Sequence, residues 1–347
     1  MIKRHISILA MFTLIVSGVF AENNGKKELN ILFIGNSFTF RNSLPVQVKK
    51  MLEAGQPGLK VNAQKVVYGG QDLFKHDKFY FSDTFIRSAS VTPEEIEKVI
   101  AKQEKLAALN SWPQFYLDYC KGIGGRTEAW QQLQGKIKRG IINQKKLLAD
   151  IRKDKRTKWD YVVLQSWQDI TPDMNIGYPE YAKKFAAIAA GEKSKTVLYI
   201  TAPYAQNAKP VRAPIEPKKT VMELDVVKKL AQETNVEAVI PVPLAINNIQ
   251  RNGTDLTFRY VNDFHPNQYC ALLTASMFYA ALTGKSPEGI KLESITGNIG
   301  KGLDRKPRKD KKGPDGKETK VTFEAKTRNY LQKAAYEAVT EFNKKQH

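Results

Sequence analysis

Leu29-Asn-Ile-Leu-Phe-Ile-Gly-Asn-Ser37-Phe-Thr-Phe40 decides the fold. Its apolar run lacks the alternation of a half-solvated strand, which marks a strand covered on both faces of a parallel sheet. The run stops abruptly at small polar residues that carry one hydroxyl nucleophile, Ser37. In open parallel sheets ligands bind just outside the carboxyl ends of the strands, so Ser37 stands where chemistry is expected. The competing role for a serine here is to cap the helix that follows the turn.

Outward from this strand the chain alternates. Helices are expected over residues 44–54, 128–152, 179–190, 218–234 and 268–283, and strands over residues 29–35, 60–68, 161–165, 196–201 and 237–242. This order predicts an α/β fold, a mainly parallel sheet with helices on both faces. Right-handed crossovers bring the strand ends to one edge. Residues 72–125 break the alternation and are rich in aromatics, among them Phe74, Phe79, Tyr80, Trp112, Tyr116 and Tyr119. They read as a largely helical insertion beside that edge, because so long a connection is usually functional or separately structured. Its rings are suited either to core packing or to stacking on sugar faces. Beyond residue 287 a basic loop and an amphipathic helix over 324–344 form a C-terminal extension. The main domain thus spans residues 29–287 and the extension 288–347, with no internal repeat and no glycine-rich phosphate loop.

The first 21 residues have a charged start, the apolar run Ile6 to Phe20 and a small-residue end at Ala21. These are the marks of a cleaved secretory signal, and the run falls short of the roughly 20 residues a membrane span needs. The expected product is exported, periplasmic or extracellular, without a transmembrane anchor. The chain of 347 residues carries a formal charge of +20, which removal of Lys3 and Arg4 lowers by two. Such a balance implies non-specific contact with polyanions through a basic surface, not recognition of a specific nucleic acid. Its densest part, residues 301–316, is Gly/Pro-rich and reads as a solvated loop. Two cysteines, Cys120 and Cys270, are too few for a disulfide scaffold; export permits them to pair, and two buried free thiols are the alternative. No Cys/His cluster has metal-ligand spacing, so neither metal nor other cofactor is expected.

Far downstream, Asn262-Asp263-Phe-His265-Pro-Asn267 places a carboxylate and an imidazole just before an apolar helix. A serine hydroxyl is a poor nucleophile until an imidazole takes its proton, and His265 supplies that base. The bland alternative is a helix-start histidine satisfied by backbone.

Together these segments resemble the first and last sequence blocks of the SGNH hydrolases, the GDSL-like esterases. There an early Gly-Asp-Ser or Gly-Asn-Ser and a late Asp-x-x-His-Pro form a catalytic triad. Two further blocks lie between, Val67-Tyr-Gly69-Gly70-Gln71 after the second strand and Trp159-Asp-Tyr-Val-Val-Leu-Gln165-Ser166 at the end of a central one. The resemblance covers about residues 29–287 and implies a flavodoxin-like three-layer sandwich carrying an esterase of the Ser-His-Asp type. It assigns Ser37 as nucleophile, His265 as base and Asp263 as orienting acid. The family pattern puts that acid three positions before the histidine, where this chain has Asn262, so a Ser-His dyad is the alternative. Negative charge on the attacked oxygen needs preorganised donors, which the resemblance assigns to the amides of Ser37 and Gly70 and to the side chain of Gln165, where the family usually has Asn. Asp72, His76 and Trp167 follow these blocks as candidate pocket residues. The implied substrate is an acylated carbohydrate or other small ester, and the implied reaction is removal of an acyl group, chiefly acetyl. Export and the aromatic-rich insertion favour a sugar over a long-chain lipid. A lipase and a non-catalytic glycan- or polyanion-binding protein are the rival readings.

Overall fold

A computed structural model describes residues 28–85, 90–125, 127–201, 206–261, 263–297 and 317–344. The expected signal segment 1–21, Asn262 and the basic run 301–316 lie outside the described residues. In chain order come β1 (Glu28–Gly35), α1 (Ser37–Phe40), α2 (Leu44–Gly55), β2 (Lys60–Val67), α3 (Leu73–Lys75), α4 (Pro93–Ala107), α5 (Gln114–Gly122) and α6 (Trp130–Ile151). Then follow β3 (Tyr161–Gln165), α7 (Gly177–Gly191), β4 (Lys195–Ile200), α8 (Pro217–Thr234), β5 (Ala238–Pro241) and α9 (Val242–Arg251). The chain continues through β6 (Arg259–Tyr260), β7 (Asp263–Pro266), α10 (Gln268–Thr283), β8 (Ser294–Thr296), β9 (Lys320–Thr322) and α11 (Ala325–Lys344).

The central sheet has the order β2-β1-β3-β4-β5, with every pairing parallel. Helices flank it on both faces, the α/β three-layer sandwich that the strand and helix pattern predicts. From β1 the chain moves outward to β2 and returns past β1 to β3, so the winding reverses between β1 and β3. A crevice at the strand ends of such a switch point is the usual binding place in this architecture. The register pairs Ile34 with Leu164, which brings Gly35 and Gln165 abreast at that point.

The sheet is built from residues that bury completely. Ile31, Leu32, Phe33 and Ile34 of β1 have no exposure, and all of β3 is buried. Each fully buried aliphatic side chain contributes roughly 1.5–3 kcal/mol. Helix α10 is apolar around its whole circumference, as a helix covered on all sides must be, and it packs against α2 and α11. In α11, Leu331, Ala335, Val339 and Phe342 recur at helical spacing and join the same core as the sheet. The C-terminal helix is therefore packed into the main body.

The expected insertion is helical, and most of its rings are core residues: Phe74 stacks on Tyr119 at 3.7 Å, and Tyr80 stacks on Tyr68 at 3.8 Å. Phe115, 40% exposed, is an exception. Helix α9 was not anticipated, because its apolar residues continue the β5 run without a break; Pro243 sits in its first turn, where a missing N–H costs nothing. Cys120 and Cys270 are both free and buried, and burial pushes the Cys270 thiol up to about 12. Among the described residues no helix is long and apolar enough to cross a membrane.

Candidate active site

The turn after β1 is held from three sides. Gly35 has no room for a side chain, since a Cβ there would lie 2.4 Å from Gln165 Oε1 and 2.9 Å from Thr39 Oγ1. Asn36 is extended, and its Oδ1 accepts from the Phe38 amide at 3.0 Å, capping α1. Ser37 is thereby the first residue of α1, half-buried, with a backbone N–H that has no acceptor inside the helix.

Gln165 is the brace of this turn. Its Oε1 accepts from the Asn36 amide (3.0 Å), the Thr39 amide (3.1 Å) and the Thr39 hydroxyl (2.6 Å). Its Nε2 donates to Asn36 Oδ1 at 2.8 Å and to the Ser166 carbonyl at 3.0 Å. Both amide hydrogens are thus engaged inside the protein. The expected oxyanion role of its side chain is corrected accordingly: Gln165 braces the Ser37 turn and has no donor left for substrate.

The segment Asp263–Pro266 forms β7, hairpinned against β6. In a strand, residues two apart share a face, so the spacing of Asp263 and His265 suits direct pairing. Asp263 Oδ1 accepts from the His265 amide at 3.1 Å and makes a short hydrogen bond with His265 Nδ1. Its other oxygen, Oδ2, accepts from Arg41 Nη2 at 3.0 Å. Burial alone would raise the Asp263 pKa, but the bonds from His265 and the charge of Arg41 outweigh it and hold the carboxyl below its ordinary value. The histidine therefore meets a carboxylate.

Rings fix the imidazole. Phe264 stacks on it at 4.5 Å, and Phe38, the neighbour of Ser37, lies 5.4 Å away. Asn42 ties the two segments together by donating to the Pro266 carbonyl at 2.8 Å and the Asn267 carbonyl at 3.1 Å. His265 Nε2 is buried and has no hydrogen-bond partner among the described residues. The Ser37 hydroxyl is accordingly not bonded to it; such contacts commonly close only when substrate docks.

Gly70 lies in the exposed turn after β2 at φ +69, a left-handed conformation that favours glycine. Asn36 Nδ2 reaches the same turn by donating to the Gln71 carbonyl at 3.1 Å. Asp72 is almost fully buried and caps α3, accepting from the Lys75 amide at 2.9 Å and pairing with Lys75 Nζ at 2.6 Å. His76 does not line a pocket, contrary to expectation. It is completely buried, donates from Nε2 to the Gly35 carbonyl at 2.9 Å, and burial lowers its pKa to about 4. A neutral ring that props the turn from beneath is its place.

Beside the turn opens a cavity of about 740 Å³ with Gly70, Asp72 and Trp167 in its wall. Ser37 and His265 are not among its lining residues, but Trp167 joins the two regions: its ring lies 5.2 Å from Phe38 and 6.0 Å from Phe264. Sequence reasoning missed Arg41 and Asn42, whose partners lie more than two hundred residues downstream and carry no local signal. It also missed Lys75, Glu128 and Lys136 of the cavity wall. Among the described residues no cluster of three His, Cys, Asp or Glu is placed to hold a metal ion.

No protein-family model and no curated protein matches the chain. Among solved structures it is similar to a chain described as "a putative SGNH hydrolase from Slackia heliotrinireducens", at 14% identity and a TM-score of 0.37, covering 74% of this chain and 100% of that one. It is also similar to a DUF4886 family protein from Bacteroides uniformis ATCC 8492, at 14% identity and a TM-score of 0.41, covering 90% of this chain and 95% of that one. Likenesses at these values carry no argument about activity.

Proposed function

We propose that this chain is an exported serine esterase that removes O-acyl groups, chiefly acetyl, from carbohydrate. The observation that carries the reading is His265: a buried Nε2 beside the Ser37 turn with no partner among the described residues, on a ring whose other nitrogen is held by an ionised carboxylate. A general base needs that arrangement, with one end free and the other oriented.

In this reading Ser37 Oγ attacks the ester carbonyl while His265 Nε2 takes its proton. Asp263 stabilises the imidazolium, and Arg41 holds the second oxygen of Asp263. The amides of Ser37 and Gly70 receive the negative charge that develops on the carbonyl oxygen. Collapse expels the alcohol, which takes the proton from His265 and leaves Ser37 acylated. Water, deprotonated by the same imidazole, then releases the carboxylate. No step calls for a cofactor. Export rests on the signal-like first 21 residues, and the choice of a sugar on the polar cavity and its Trp167 wall.

A fluorophosphonate probe tests the nucleophile. The mature protein is expected to be labelled at Ser37 and to hydrolyse nitrophenyl acetate, with both properties lost in Ser37→Ala while its circular dichroism is unchanged. An unlabelled wild type, or a folded Ser37→Ala of near wild-type turnover, overturns the reading.

A further inference from the structure

The whole chain is strongly basic, yet the cavity beside the nucleophile turn is charge-balanced among its described lining residues. Lys75 is salt-bridged to Asp72 and Lys136 to Glu128, so two ammonium groups face two carboxylates. The first pair is buried and the second partly exposed. Asp72 and Lys75 are nearly inaccessible, with side chains 3% and 8% exposed, and burial of Lys75 is outweighed by Asp72, which keeps its pKa raised and the ammonium charged. Lys136 Nζ also donates to the Gly69 carbonyl at 2.7 Å. The Glu128 carboxylate is further occupied by Gln71 Nε2 at 2.8 Å. Among the described lining residues a charged ligand entering here would be desolvated without a free counter-charge, which is costly.

The rest of the wall is neutral and hydrogen-bonding, with ring faces. Gln132 and Gln168 supply side-chain amides, Trp167 supplies a partly exposed ring with Tyr116 fully buried behind the wall, and two glycine pairs, Gly69-Gly70 and Gly124-Gly125, add no side chains. A volume of about 740 Å³ lies within the usual range of small-molecule sites, which combine aromatic surface with a few placed polar groups. Gln168 is held at φ 49 at the corner next to Trp167, a left-handed geometry that is uncommon for a side chain of this size and clusters at ligand sites. Hydroxyl groups both donate and accept, so a polyol can bond ammonium and carboxylate of one pair at once without disturbing its balance.

We infer that this cavity binds the alcohol portion of the substrate and that this portion is an uncharged sugar of more than one ring, not an anionic one. The assignment rests on the esterase reading only for calling the bound sugar the leaving group. Binding itself requires no hydrolysis.

The test is isothermal calorimetry on the full-length mature protein with unesterified disaccharides. Xylobiose and cellobiose serve as the uncharged probes and digalacturonate as the anionic one. Saturable binding of an uncharged disaccharide is expected, at least tenfold tighter than digalacturonate and little changed between low and moderate salt. Gln132→Ala, at an exposed position on α6, and Glu128→Gln are expected to weaken it about tenfold, with folding checked by circular dichroism. Equal or tighter binding of digalacturonate, binding unaltered by Gln132→Ala, or no binding of either class each overturns the inference. Sugar binding by a protein that no fluorophosphonate labels would defeat the esterase reading and leave this one standing. Ester hydrolysis without sugar binding would do the reverse.

Discussion

Arg41 Nη2 and Asp263 Oδ2 meet at 3.0 Å, while the other oxygen of the same carboxylate serves His265. Each oxygen of Asp263 thus has its own partner, and the acid is held against rotation. The bonds and charge of His265 hold the carboxyl below its ordinary value, and the charged, planar donor on the other side adds to them.

Removing that donor is expected to act through Asp263. Arg41→Gln should lower kcat/KM for nitrophenyl acetate about tenfold at neutral pH, roughly 1.4 kcal/mol of barrier. The deficit should deepen on the acid limb, because loss of the Arg41 charge, which adds to the larger contributions of His265, lets the carboxyl rise from its depressed value. Arg41→Lys should recover part of the loss by restoring charge without the planar fork. A pH profile parallel to that of wild type would refute this role.

Loss of the carboxylate itself is the stronger perturbation. Asp263→Asn should lower turnover by roughly two to four orders of magnitude, as loss of a triad acid does. An effect within tenfold would instead make the site a Ser37–His265 dyad, with turnover measured on protein verified as folded.

Gln165 separates a brace from a catalytic donor. Gln165→Leu strips partners from the Asn36 and Thr39 amides, and each buried polar group left unpaired costs about 1–3 kcal/mol. A loss of at least about 3 kcal/mol in urea unfolding is expected. Gln165→Asn should also destabilise, since the shorter arm cannot reach all five bonds. A gain in turnover from Gln165→Asn without destabilisation would restore the oxyanion assignment.

His76 should make stability depend on pH in a defined window. Its native value of about 4 lies below the ordinary 6.5, so between these values the unfolded chain binds the extra proton and stability falls as pH falls. The loss approaches about 3 kcal/mol at the lower end. His76→Gln keeps a donor toward Gly35 but does not titrate, so the stability of wild type relative to the variant should fall as pH falls across this window, and only there. The comparison also cancels Asp83 and Glu223, which burial raises to about 7 and which act in the opposite direction, destabilising the fold as pH rises toward that value. A pH-independent difference would refute the assignment.

Where the hydrophobic pattern is long and regular, local sequence was sufficient. The apolar runs that became β1 and β3, and the uniformly apolar α10, leave no alternative to burial on all sides, so the layered sheet and the edge that carries Ser37 follow from the hydrophobic pattern. Local information failed at α9, where one apolar run holds both a strand and a helix and only packing against α11 and the sheet distinguishes them.

The sequence by itself determined that a serine would stand at the end of the first strand and that a carboxylate and an imidazole would come together before the last helix of the sheet domain. These are nearest-neighbour facts of the chain. Only the tertiary structure decided that Gln165 turns its whole amide inward, that His76 props the turn from the core, and that Arg41 completes Asp263. Each of those is a directional bond between segments far apart in the chain, and composition and spacing do not encode the direction in which a side chain finds its partner.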